Sequence, residues 1–313
     1  MKFFLILSFS FFLLTKGHVI QSSASEWQML ENMKVEHVVD PNTIDLQQIT
    51  SESWADIVSL CPDLPHNPRI NIFFDSFLEN TTILAYASQS LHLSSEAVWV
   101  STIYEAMTQN RNYSTGSSYD MSIGFNPNPP NGWHVDRDCD SISGKYDIRT
   151  VLKHELLHGL ILAGSLREDT DEFGINYWKA GYNFNGICYP RLYDTLVKDV
   201  EDNYVLGLGC VMNPLLLSLN SKDLYIGDVK LYHPYYFQSG SSISHHNYPG
   251  NLMYYSLPPM TCMDLGAYEG KLLSKLGVEC TIGNKTYKKS EATKNLYRRL
   301  SVVITILILI LLF

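Results

Sequence analysis

Residues Tyr146–Gly164 read YDIRTVLKHELLHGLILAG. Ile148, Val151, Leu152, Leu156 and Leu160 recur at the three- to four-residue spacing of one helix face. Gly144 precedes the run, Asp147 places negative charge near its start, and Gly159 and Gly164 stand near its end. A helix is expected from Tyr146 to about Ala163. Residues four apart on a helix share a face, so His154 and His158 can offer two imidazoles to one metal ion. Glu155, beside the first of them, can reach a water held there. Imidazole suits zinc, and a catalytic zinc takes three protein ligands and a water. The expectation is one Zn2+ per chain, with Glu155 taking the proton of the zinc-bound water and passing it to a leaving amine.

A third ligand is needed. Residue 164 is Gly, where a longer HExxHxxGxxH motif would carry histidine, and no second helix with an obvious glutamate ligand follows. The loop 240–246 is the best source, because His245 and His246 stand side by side in it. The residues alone leave both open. Just downstream, Asn251–Tyr255 can form a methionine turn, with Met253 packed beneath the histidines. Tyr255 would then be placed to hydrogen-bond a tetrahedral oxyanion.

Outward from this stretch, both ends read as processing signals. Residues 1–17 are a charged start followed by an apolar run, the pattern of a secretory signal, with cleavage after Gly17 or Ala24. Residues 300–313 are an apolar tail preceded by a polar spacer, 281–299, which suits a GPI attachment signal with Ser290 as attachment residue, or a membrane anchor. Six cysteines behind a signal suggest disulfides, and Cys188–Cys210 and Cys262–Cys280 close the shortest loops. Sequons at Asn80, Asn112 and Asn284 agree with an extracellular glycoprotein. The net charge of −9 comes with no basic patch outside the C-terminal processing region, which argues against nucleic acid as a partner. Asp136, Asp138 and Asp140 alternate as in a calcium loop, but Ser141 stands where glycine is expected, so a solvated acidic loop is the reading.

Residues 18–65 are mixed and polar and read as an N-terminal arm; 66–280 read as the catalytic domain. Strands are expected at 69–76 and 119–126, with 82–88 pairing with the first. The 119–126 stretch is the candidate edge to which a peptide substrate could add as a strand. Helices are expected at 95–109 and 264–277, a strand at 224–232 and a loop at 238–247. Strands before the HExxH helix and irregular structure after it suggest an α+β fold with a mixed sheet and a C-terminal subdomain.

Several segments together resemble a group of secreted, zincin-like metallopeptidases. They are Ile123-Gly124-Phe125-Asn126, Trp133, Gly144–Asp147, His154–Leu160, Ser242–His245 and Leu252-Met253. The resemblance covers roughly residues 95–278. It implies a zincin-like domain, peptide-bond hydrolysis, and His245 rather than His246 as third ligand. The chain departs from the group's pattern at Ile161-Leu162 and at Tyr254-Tyr255, which touches the shape of the cleft and no ligand. The competing classes are an adhesion module that keeps the fold without catalysis, and a zinc hydrolase of a non-peptide amide.

Overall fold

A computed structural model describes residues 19–23, 44–65, 67–94, 97–109, 119–170, 176–206, 210 and 223–290. In chain order its first elements are β1 (Val19–Ser23), α1 (Leu46–Leu60), β2 (Arg69–Phe74), β3 (Ala85–Gln89), β4 (Leu91–Leu93) and β5 (Trp99–Ser101). Next come α2 (Thr102–Gln109), β6 (Met121–Phe125), β7 (Trp133–His134), β8 (Tyr146–Asp147) and α3 (Ile148–Leu160). Short hairpins follow, then α4 (Ala267–Lys275) and a terminal hairpin, Cys280–Ile282 with Lys285–Tyr287. The architecture is α+β.

The principal sheet has the order β1-β2-β6-β3. β2 and β6 run parallel, and the two outer strands are antiparallel to their neighbours. Ile70, Ile72, Met121, Ile123 and Phe125 are buried, as expected for a sheet interior. β6 is therefore an inner strand, and the expected substrate edge at 119–126 is corrected. The edge beside the HExxH helix is β3, which pairs with β6 and not with β2 as expected for 82–88.

α3 lies against β3 and β6, and α1 lies against α3 and β2. Asp147 caps α3 by accepting the Thr150 N–H at 2.8 Å. At Gly159 α3 packs tightly on β6, since a Cβ there would stand 2.4 Å from Met121 Sδ. Gly159→Ala is accordingly expected to destabilise the fold by about 1–3 kcal/mol through overpacking, although alanine is the better helix former by about 1 kcal/mol. A thermal midpoint equal to or above that of the wild type would contradict this contact.

The expected N-terminal arm 18–65 contains the 15-residue helix α1. Leu46, Ile49, Trp54, Ile57 and Val58 form its buried stripe, with Gln, Glu and Asp on the other face. Arg149 and Lys153 of α3 pair with Glu52 and Asp56 of α1, at 2.9 and 3.1 Å. The expected helix 95–109 is helical only from Thr102. Buried Val98, Trp99 and Val100 instead give β5, which pairs with β4. The expected strand 224–232 turns back at Gly227, whose φ is +61°, into the hairpin Leu224–Ile226 with Val229–Lys230. Residues 281–287 of the expected spacer belong to the terminal hairpin, where Tyr287 is buried.

Three disulfides join Cys61–Cys280, Cys139–Cys262 and Cys188–Cys210. The last was expected; the pairing Cys262–Cys280 is corrected. Three disulfides fit an extracellular protein. Asn80 and Asn284 are exposed. Asn112, the signal residues 1–17 and the tail 300–313 lie outside the described residues. Among the described residues no helix is long and apolar enough to cross a membrane.

Candidate metal centre

His154 and His158 leave the same face of α3, and His245 meets them from the loop after Gly240. Their Nε2 atoms form a near-equilateral triangle with sides of 3.0, 3.0 and 3.1 Å. Each ring is held from behind by a carbonyl on its Nδ1. His154 donates to Leu252 O at 2.7 Å, His158 to Leu162 O at 2.5 Å and His245 to Ser241 O at 2.8 Å. A carbonyl can only accept, so each Nδ1 carries the proton and each neutral Nε2 presents a lone pair. Three lone pairs thus converge with no proton of their own between them. Such a set of converging lone pairs can hold a metal ion. Burial disfavours a proton there, pushing His154 down to about 4 and His158 to about 3. His245 is lowered as well, first by burial and then by the two neighbouring rings. Among the described residues this is the cluster of three or more ligating side chains that can hold a metal ion.

The loop that delivers His245 is strained. Ile243 has φ of +71°, a conformation that β-branched residues avoid. The buried Tyr193 hydroxyl donates to Ile243 O at 2.8 Å, and Ile243 N–H donates to Tyr232 O at 2.7 Å, which together hold the turn. Strain of this kind costs about 1–3 kcal/mol and persists where its surroundings over-determine it. Tyr232 N–H then donates to the His245 carbonyl at 2.8 Å.

His246 points elsewhere. Its ring is fully buried and bonds Glu269 Oε1 at 2.8 Å. The geometry therefore brings together His154, His158 and His245, and leaves His246 out. Met253 is fully buried, and its carbonyl accepts the His246 N–H at 3.1 Å, so the Leu252-Met253 turn supports both histidine segments.

Glu155 is buried beside His154, and burial pushes its carboxyl up to about 8. Tyr255 is exposed, and its ring stacks flat on Tyr232 with centroids 3.8 Å apart. That stack stands next to the His245 carbonyl through Tyr232. Gln89, the last residue of β3, donates its side-chain amide to His158 O and accepts from Arg191 at 3.0 Å. Arg191 also donates to Ala163 O at 3.1 Å, closing the exit of α3. Gln89, Arg191, Tyr193 and Glu269 carry no local sequence signal and are joined to the site only by the fold. Asp136, Asp138 and Asp140 are exposed on a turn fastened by Cys139–Cys262.

Comparisons with protein-family models, with curated proteins and with solved structures find no match to this chain.

Proposed function

We propose that this chain is a secreted zinc endopeptidase on a zincin-like domain, with His154, His158 and His245 holding one Zn2+ and Glu155 as general base. The observation that carries the reading is the convergence of three Nε2 lone pairs beside a buried carboxylate on the same helix. The donor set fits zinc. In a tetrahedral site with Zn–N near 2.0–2.1 Å, neighbouring nitrogens lie about 3.3–3.4 Å apart, and the triangle here is within a few tenths of an ångström of that. Three imidazoles without a thiolate suit zinc over the harder magnesium and calcium.

When bound, zinc supplies a Lewis acid for the scissile carbonyl and makes water acidic enough to deprotonate near neutral pH. Glu155 takes that proton on its carboxylate and delivers it to the leaving amine nitrogen. In the metal-free fold burial alone raises its carboxyl to about 8, and a cation held by the three histidines would favour the ionised form that accepts the proton. The three backbone carbonyls keep the imidazoles in the tautomer that presents Nε2. A peptide substrate adds to β3, the outer strand of the sheet among the described residues, whose Gln89 donates to the His158 carbonyl. Tyr255, over the Tyr232 platform, is the side chain assigned to the developing oxyanion. Attachment to the cell surface through a GPI signal or membrane anchor after Ser290 completes the proposal.

The test is the zinc content of the secreted chain beside His245→Ala and His246→Ala. One zinc per wild-type chain, lost in His245→Ala, supports the site; folded wild-type protein that takes up no zinc overturns it and leaves the adhesion-module reading. Peptide cleavage by the zinc-loaded chain then separates a peptidase from a hydrolase of other amides.

A further inference from the structure

We infer that the buried pair His246–Glu269 positions the metal ligands, by clamping the loop that carries His245 to the turn whose Leu252 carbonyl orients His154. The inference rests on the zinc reading above and adds to it a pair of residues that never face the ion.

Both side chains are fully buried. Glu269 Oε1 accepts His246 Nε2–H at 2.8 Å and Met253 N–H at 2.9 Å, while Oε2 accepts Gly266 N–H at 2.9 Å. One carboxylate thus gathers three donors from three separate segments. Of the uncharged or charged side chains, only a carboxylate offers two acceptor oxygens with that capacity and no competing donor. Glu269 stands in the first turn of α4, where the helix dipole favours a negative charge. Burial alone would raise its pKa, but the His246 and backbone donors outweigh burial and hold it below the ordinary range.

The consequences run to two of the three ligands. His246 is the peptide neighbour of His245, so fixing the His246 ring and its N–H to Met253 O at 3.1 Å fixes the backbone that delivers His245. Met253 is the peptide neighbour of Leu252, so fixing the Met253 N–H fixes the carbonyl that accepts from His154 Nδ1 at 2.7 Å. His158 is independent of the pair, because its carbonyl partner, Leu162, comes from the end of its own helix. A buried pair with no such role would be replaceable by apolar side chains at little cost or at a gain in stability. Here replacement would orphan the Met253 N–H and release two ligand supports together.

The experiment measures the zinc dissociation constant by chelator competition, and the visible spectrum of the cobalt-substituted protein, for wild type, His246→Leu, His246→Gln and Glu269→Gln. The melting midpoint of each metal-free form is recorded beside them. Disturbing an outer partner of a metal ligand weakens metal binding by about 10–100-fold. That loss is expected in folded His246→Leu, together with an altered cobalt spectrum. His246→Gln, which keeps an N–H for Glu269, should recover most of it. Wild-type zinc affinity in folded His246→Leu, or equal weakening in His246→Leu and His246→Gln, overturns the inference. If His246→Leu does not fold, Glu269→Gln decides: weaker zinc binding supports the clamp, and wild-type binding overturns it. A wild-type chain that binds no zinc overturns the metal reading itself; zinc bound equally by all folded variants overturns only the clamp.

Discussion

Glu155→Gln is expected to lower kcat/KM for peptide cleavage by about 10²–10⁴-fold while the chain keeps its metal ion. The carboxamide has the same shape but cannot accept the proton, and Glu155 is not a corner of the Nε2 triangle. The same substitution should stabilise the metal-free fold at alkaline pH. Burial raises the carboxyl from 4.5 to about 8, so folding opposes its ionised form. The stability contributed by the protonated group is full below pH 4.5 and is lost as pH rises through about 8. The amide has no charge to desolvate. Metal-free Glu155→Gln should therefore melt above metal-free wild type at pH 8, with the difference closing toward pH 4.5. Stability gained together with activity lost is the signature of a strained catalytic group. Full activity in the metal-loaded variant would remove Glu155 from the chemistry, whereas a metal-loaded wild type that cleaves no peptide would favour the adhesion module.

The parts of this protein legible in its sequence are those set by local periodicity. The HExxH helix was readable because Val151, Leu152, Leu156 and Leu160 repeat at helical spacing and are all buried in the structure. Two of the three converging histidines, His154 and His158, followed from their four-residue spacing alone. The third was readable only as a choice between neighbours, because what separates His245 from His246 is tertiary. Ile243 turns the chain through a left-handed conformation, and Glu269, 23 residues beyond His246, draws the second histidine away. Sequence order could not tell that β3 and not β6 is the sheet edge, since a parallel β2–β6 pair needs a crossover whose partner is set by long-range packing. α1 was missed for a different reason. Leu46, Ile49, Trp54, Ile57 and Val58 stand at helical spacing in the sequence itself, and the reading of 18–65 as one polar arm averages that stripe with the residues before it.

Cysteine pairing is the extreme case of long-range information, and it carries the largest expected effect on stability. Cys61 ends α1 and Cys280 begins the terminal hairpin, 219 residues apart in sequence, and both are fully buried. With Cys139–Cys262 intact, the loop closed by Cys61–Cys280 is about 100 residues, for which chain entropy gives about 4.7 kcal/mol. Cys188–Cys210 closes a 22-residue separation and should contribute about 3 kcal/mol. Replacing Cys61 and Cys280 by serine should thus cost more in denaturant unfolding than replacing Cys188 and Cys210, and buried serine hydroxyls without partners would widen the gap by about 1–3 kcal/mol each. The reverse ranking would show that native-state packing, not loop closure, sets the contribution of these bonds. The position of Cys61–Cys280 also has mechanical meaning. Asp63, two residues on, accepts the Glu279 N–H at 3.1 Å and pairs with Lys289 at 3.0 Å. The last described stretch of chain is therefore fastened to the end of α1, the helix that supports α3. If the chain is held at a surface at or after Ser290, as proposed, a pull on the tether reaches this disulfide before it reaches the histidines. Zinc affinity in the Cys61→Ser/Cys280→Ser variant should consequently stay close to wild type at temperatures where the fold survives.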